Sequence, residues 1–184
     1  MSAMFDNFKP LDFFRENYQP DEKNQQETNI SPLEDYQKDA IKFIMDNFGK
    51  GINSLCALDV GMGKTRVACE ILCQVIDNKR EKKDRGYALV CCPKNGLIET
   101  IWVETLHTLK LKTMLLSGKD LKIIKMTRKK VLTIPPYMVC LITYHNLIKN
   151  IDYLINTPPS MIIFDEYHTV TNNIGKNIRN TGTQ

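Results

Sequence analysis

The sequence predicts an α/β domain: a mostly parallel sheet with helices on both faces. Three observations predict it. Short apolar runs alternate with amphipathic stretches of helical period, as strands joined by crossover helices do. The runs "YALVCC", "MVCLITY" and "MIIFD" show no internal polar alternation, so burial on both faces is expected. The turn "DVGMGKT" (59–65) joins an apolar run to an amphipathic one, the setting of a strand-to-helix junction.

Residues 1–30 read as an N-terminal extension or tail. "MFDNFKPLDFFRENYQP" carries Phe5, Phe8, Phe13, Phe14 and Tyr18, and polar "DEKNQQETN" follows. It is either an extra helix packed on the domain or a docking peptide for a protein partner, with aromatic anchors. Residues 31–184 are expected to form the folded domain. Ser31 as N-cap, Pro32 at the first helical position and acids in the first turn open a helix. Along it Leu33, Tyr36, Ala40, Ile44 and Phe48 repeat at helical spacing, and Gly49 and Gly51 stop it. "SLCAL" (54–58) reads as a strand, and "RVACEILCQVID" as the helix after the glycine turn. "YALVCC" is a strand ended by Pro93, and "LIETIWVETLHTL" a helix. "TMLLS", "MVCLITY" and "MIIFD" complete the strands.

The chain has 184 residues, 42% hydrophobic and 25% charged, the composition of a soluble globular domain. No apolar run is long enough to span a bilayer, and the N-terminus lacks the pattern of a signal peptide. A soluble intracellular protein without a membrane partner is expected. Net charge is +4, and the basic residues cluster. Residues 78–86 read as a solvated connection; Lys119, Lys122, Lys125, Arg128, Lys129 and Lys130 fit either a solvated face or a phosphate-binding one. The six cysteines include no CxxC pair and read as core packing rather than metal ligands.

Gly61, Met62 and Gly63, followed by Lys64-Thr65 at a helix start, make a phosphate cradle. The glycines let backbone N–H groups curl around anionic oxygens, and the helix N-terminus adds partial positive charge. Lys64 suits the β/γ-phosphates and Thr65 a Mg²⁺ ion. The pattern GxxxxGK[ST] expects glycine at position 58, where this chain has Leu58. In a parallel sheet Asp165-Glu166, at the C-terminal end of "MIIF", would face the same edge. Asp165 is then the second Mg²⁺ candidate and Glu166 the residue that orients and deprotonates a water.

With these motifs in this order, the sequence resembles the superfamily-2 helicase-like ATPases, and among them the Snf2-like group. "DEYH" resembles the DExH box, and "LEDYQ" the segment whose glutamine reads adenine, which would be Gln37. "ITYHNL" resembles the group's "TTYETL", which lies along bound nucleic acid; "LVCCPKNGLIETIWVETL" resembles a segment whose start touches the nucleic-acid backbone. The resemblance therefore implies nucleic-acid contacts at Pro93, Lys94, Thr143 and Tyr144, and a coupling role for His168. Asn172 stands where the group often has asparagine. "KNGLIETIWVETL" is also similar to poxvirus nucleoside triphosphatase I, a DNA-dependent ATPase.

The resemblance covers residues 33 to about 180 and implies one RecA-like P-loop lobe that binds ATP and Mg²⁺. It further implies hydrolysis coupled to movement on nucleic acid, DNA rather than RNA. The family's Ser-Ala-Thr motif and second lobe do not follow "DEYH", so a fragment or a truncated relative is expected, weakly active alone. A different class also fits: a non-catalytic nucleotide-binding module that docks a partner through the tail. A GTPase ranks below both, because no guanine-reading NKxD is present. Trp102 reads as core, and Tyr144 as either a base-stacking or a packing residue.

Overall fold

The computed structural model describes residues 31–116 and 134–168. The tail 1–30, the Lys119–Lys130 cluster and Asn172 lie outside the described residues.

Helix α1 spans Asp35–Gly49, with Glu34 as its N-cap, so it starts later than Ser31 and Pro32 predict. The reason is local. The Gln37 side chain accepts from the Glu34 backbone N–H at 3.1 Å, so a glutamine in the first turn satisfies the donor that opens the helix. Helix α2, Lys64–Glu81, buries Val67, Ile71, Leu72, Val75 and Ile76 along one stripe. It runs through residues 78–81, so only the rest of the 78–86 basic stretch is connection.

Strand β1 (Ala88–Cys92) leads to a composite helix: α3 (Asn95–Leu97), a π-helical segment (Ile98–Trp102) and α4 (Val103–Thr108). Then come β2 (Thr113–Leu115), β3 (Val139–Thr143), α5 (Tyr144–Lys149), α6 (Ile151–Ile155) and β4 (Met161–Phe164). The sheet order is β2-β3-β1-β4, and every pairing is parallel. The predicted fold class holds.

Helices cover both faces. Ala88, Val90, Cys92, Val139 and Leu141 share a core with α1, α2 and the composite helix. Leu89, Cys91, Cys140 and Ile142 face the other way, onto Leu154 of α6 with Met114 and Leu116. Each fully buried leucine or isoleucine contributes about 1.5–3 kcal/mol relative to exposure. β1 and β3 are buried throughout because each lies between two strands and two helical layers. β4 is an edge strand of the described sheet; Ile162 and Phe164 are about half exposed.

The strand expected at Ser54–Leu58 does not form: residues 52–59 have no ladder. Cys56 and Leu58 still pack on the core while Leu55 is exposed, so strand-like alternation survives without a partner. An apolar run becomes a strand only where a sheet edge takes its backbone groups, and β4 is paired to β1 alone.

Cys69, Cys91, Cys92 and Cys140 are buried, as core packing predicts. Desolvation pushes the thiols of Cys69, Cys91 and Cys92 up to about 12, so they stay neutral near pH 7. Among the described residues no helix is long and apolar enough to cross a membrane.

Candidate active site

The glycine turn has the backbone conformation that a phosphate cradle would need. Gly61 and Gly63 take φ of 84° and 72°, left-handed values that side chains resist. Gly63 is the N-cap of α2, and no acidic residue occupies that helix's first turn. An 18-residue helix thus points the positive end of its dipole at the loop without a competing carboxylate.

Lys64 folds back over the loop. Its Nζ donates to the backbone carbonyls of Leu58 (2.8 Å) and Asp59 (3.0 Å). The Leu58 side chain packs on the core, and only its carbonyl faces the lysine. The Met62 N–H closes the turn on the Asp59 carbonyl at 3.3 Å. Thr65 follows, half-buried, in the first turn of α2.

α1 holds the loop from outside. Gln37 is buried, and its Nε2 donates to the Met62 carbonyl at 3.2 Å; the Tyr36 hydroxyl reaches the same carbonyl at 3.4 Å. With the Glu34 N–H on its Oε1, the Gln37 amide keeps one donor and one acceptor position for something else. This fit is tight. A Cβ on Gly63 would sit 2.6 Å from Gln37 Nε2. Gly63→Ala is therefore expected to destabilise the domain by about 1–2 kcal/mol from left-handed strain alone, with a further loss from the displaced amide. Denaturant melts of Gly63→Ala, Gln37→Ala and the double variant separate the two. The double variant should recover the clash and not the strain, giving clear non-additivity; strict additivity would mean that the two residues do not touch.

The second half of the site sits at the C-terminal edge of the sheet. In register, Cys92 lies beside Thr143 and Cys91 beside Phe164, so Pro93-Lys94, Tyr144 and Asp165-Glu166 all leave the same edge. Asp165 is fixed at three points. Its N–H donates to the Cys91 carbonyl at 2.9 Å, its carbonyl accepts from the Tyr144 hydroxyl, and its Oδ2 accepts from Trp102 Nε1 at 2.8 Å. Desolvation is the main cause raising the Cys69 thiol, and Asp165's charge adds to it.

Glu166 has φ of 52°, a strained value for this residue type. Its Oε2 lies 3.2 Å from Nδ1 of His168, and both side chains are solvent-accessible. Phe164 stacks on Tyr144 with centroids 6.3 Å apart and meets Tyr167 edge-on at 6.5 Å. Lys94 is exposed. The Thr143 hydroxyl accepts from the Asn146 N–H at 3.3 Å, capping α5.

The residues predicted from sequence thus fall into two groups, Gln37 with Gly61–Thr65 and Asp165 with its sheet-edge neighbours. Sequence reasoning missed the contact of Trp102 with Asp165, 63 positions apart. It placed Trp102 in the core, which is right, since the residue is 1% exposed. The available signal was chemical: a buried indole N–H needs an acceptor. A concavity of about 360 Å³ lined by Leu33, Ile41, Met45 and Gln74 includes none of these site residues.

A family model described as type III restriction enzyme, res subunit, matches residues 30–182. No curated protein matches the sequence.

Proposed function

The chain belongs to the type III restriction enzyme res-subunit family, a helicase-like ATPase fold of RecA type, and from that premise we propose that this lobe binds ATP·Mg²⁺ and couples its hydrolysis to movement on nucleic acid in the complete protein. The observation that carries the reading is the backbone and charge of the glycine turn at the start of α2. Gly61 and Gly63 are left-handed, the Lys64 ammonium lies over the loop, and a long helix starts there without an acidic first turn. Asp165, held by three hydrogen bonds at the C-terminal end of the parallel sheet, supports the reading as its metal residue.

Gly61, Met62, Gly63 and the start of α2 receive the phosphates, and Lys64 exchanges its two loop carbonyls for phosphate oxygens. Gln37 offers one donor and one acceptor, the pair that matches the N6/N7 edge of adenine. The Thr65 hydroxyl and Asp165 suit Mg²⁺: one oxygen of the carboxylate takes the indole N–H, and the other stays available. The ion would neutralise charge on the transferring phosphoryl group. Glu166 orients the attacking water and accepts its proton, and His168 beside it carries the coupling.

Pro93, Lys94, Thr143 and Tyr144 form the nucleic-acid edge, with DNA preferred to RNA. Backbone groups, a hydroxyl and a lysine suit phosphates and carry no base code. The Snf2-like assignment and the likeness to poxvirus nucleoside triphosphatase I rest on "LEDYQ", "ITYHNL" and "KNGLIETIWVETL". A second RecA-like lobe would complete the ATP cleft, and the 1–30 tail is proposed as a separate docking element.

Anisotropy of a labelled oligonucleotide, with and without a non-hydrolysable ATP analogue, tests the coupling. Weak binding is expected, roughly 10⁻⁴ to 10⁻⁶ M at physiological salt, shifted by the nucleotide. The oligonucleotide must shift nucleotide affinity by the same factor. Lys94→Gln should lower the log–log salt slope by about 0.7–0.9. Affinities that ignore each other would leave a nucleotide-binding module without a motor role.

A further inference from the structure

We propose that Trp102 is a positioning residue for Mg²⁺·nucleotide, acting through Asp165. This deepens the nucleotide-site reading and rests on it. The chain has a single tryptophan, and it is almost wholly buried, in the core cluster that also holds residues of the sheet and α2. Packing alone would be served by any large apolar ring. The indole instead spends its one polar atom on Asp165 Oδ2 at 2.8 Å.

Three features make this more than an incidental contact. First, Trp102 ends a local departure from α-helix. The helix that carries Trp102 widens into a π-helical segment over Ile98–Trp102 and returns to α at Val103, and such widenings recur at functional sites. Second, the main chain of Asp165 is held separately, by the Cys91 carbonyl and the Tyr144 hydroxyl. With the backbone fixed, the indole sets the remaining freedom, the rotation of the carboxylate. Third, the donor is neutral. A lysine or arginine there would compete with a cation for the carboxylate, whereas an indole N–H fixes one oxygen and leaves the group's full negative charge for the ion.

The consequence is specific. Trp102 governs how well Asp165 receives Mg²⁺, and has no part in nucleotide binding without the metal. The single tryptophan permits a one-atom test. Growth with the benzothiophene analogue of tryptophan, sulfur in place of N–H, replaces position 102 alone, removes the donor and keeps the flat fused-ring shape. A fluorescent ATP analogue is titrated across a Mg²⁺ series and in excess chelator, with Trp102→Phe and Asp165→Asn beside it.

The expected result is a Mg²⁺ midpoint raised about tenfold in the analogue-labelled protein, with nucleotide affinity in chelator unchanged. Trp102→Phe should raise the midpoint likewise, and Asp165→Asn should remove most of the Mg²⁺ dependence. A wild-type midpoint in both Trp102 proteins, with Asp165→Asn shifted, overturns the proposal and leaves the nucleotide site standing. If the wild-type protein binds no nucleotide, the site reading fails and takes this proposal with it. A lowered thermal stability with the midpoint unmoved marks Trp102 as packing only and also overturns it.

Discussion

Lys64→Ala is expected to weaken ATP binding by about 10²–10⁴ while the domain stays folded. The Lys64 ammonium makes two hydrogen bonds, to the carbonyls of Leu58 and Asp59, and both partners are replaceable by phosphate oxygens. Two charge-assisted bonds at about 1.5–3 kcal/mol each set the size of the loss. The fold should survive because the lysine is exposed and its removal opens no core cavity. The two carbonyls left behind lie at a surface loop where water can take them. Titration with a fluorescent ATP analogue measures the first half, and a thermal melt the second. Unchanged affinity would remove the phosphate-cradle reading; a collapsed melt would mean that the lysine staples the loop rather than serving a ligand. Lys64→Arg should not restore binding, because a planar fork does not reproduce a compact point charge inside a tight loop.

The left-handed glycine turn and the strand that ends before the acidic pair were legible in the sequence because each is a short contiguous pattern with a local physical cause. Gly61 and Gly63 need left-handed backbone, and Asp165 needs only to end an apolar strand. The helices were legible from period, yet the start of α1 was not. Ser31 and Pro32 form a good local signal, but Gln37 outcompetes it by reaching back to Glu34. Strand order lay beyond the sequence. "YALVCC" and "MIIFD" read alike, but β1 is central and β4 an edge, so only the first is covered throughout. "SLCAL" reads as strongly as either, and it lacks a ladder because pairing is a property of a neighbour. The triple hold on Asp165 joins residues from β1, α5 and the π-helical segment, and no spacing rule connects those.

Glu166→Gln is expected to cut hydrolysis by about 10²–10⁴ while ATP still binds. The loss has the size of a removed general base. Glutamine keeps the shape and can still orient water, but it cannot take the proton. Binding should persist because, on the proposed reading, phosphates and metal rest on Lys64, Thr65 and Asp165. The fold should persist too: the contact with His168 is exposed, and such pairs contribute about 0–1 kcal/mol. A second substitution separates chemistry from architecture. Glu166 has φ of 52°, where asparagine is tolerated far better than glutamate. Glu166→Asn should therefore be no less stable than wild type and yet as inactive as Glu166→Gln. On the proposed reading, the strained glutamate is kept where an easier residue would fold as well because its carboxylate is needed. Single-turnover hydrolysis and thermal melts on the three proteins decide it. Full turnover in Glu166→Gln would move the base elsewhere, and a marked loss of stability in Glu166→Asn would make the backbone strain structural rather than functional.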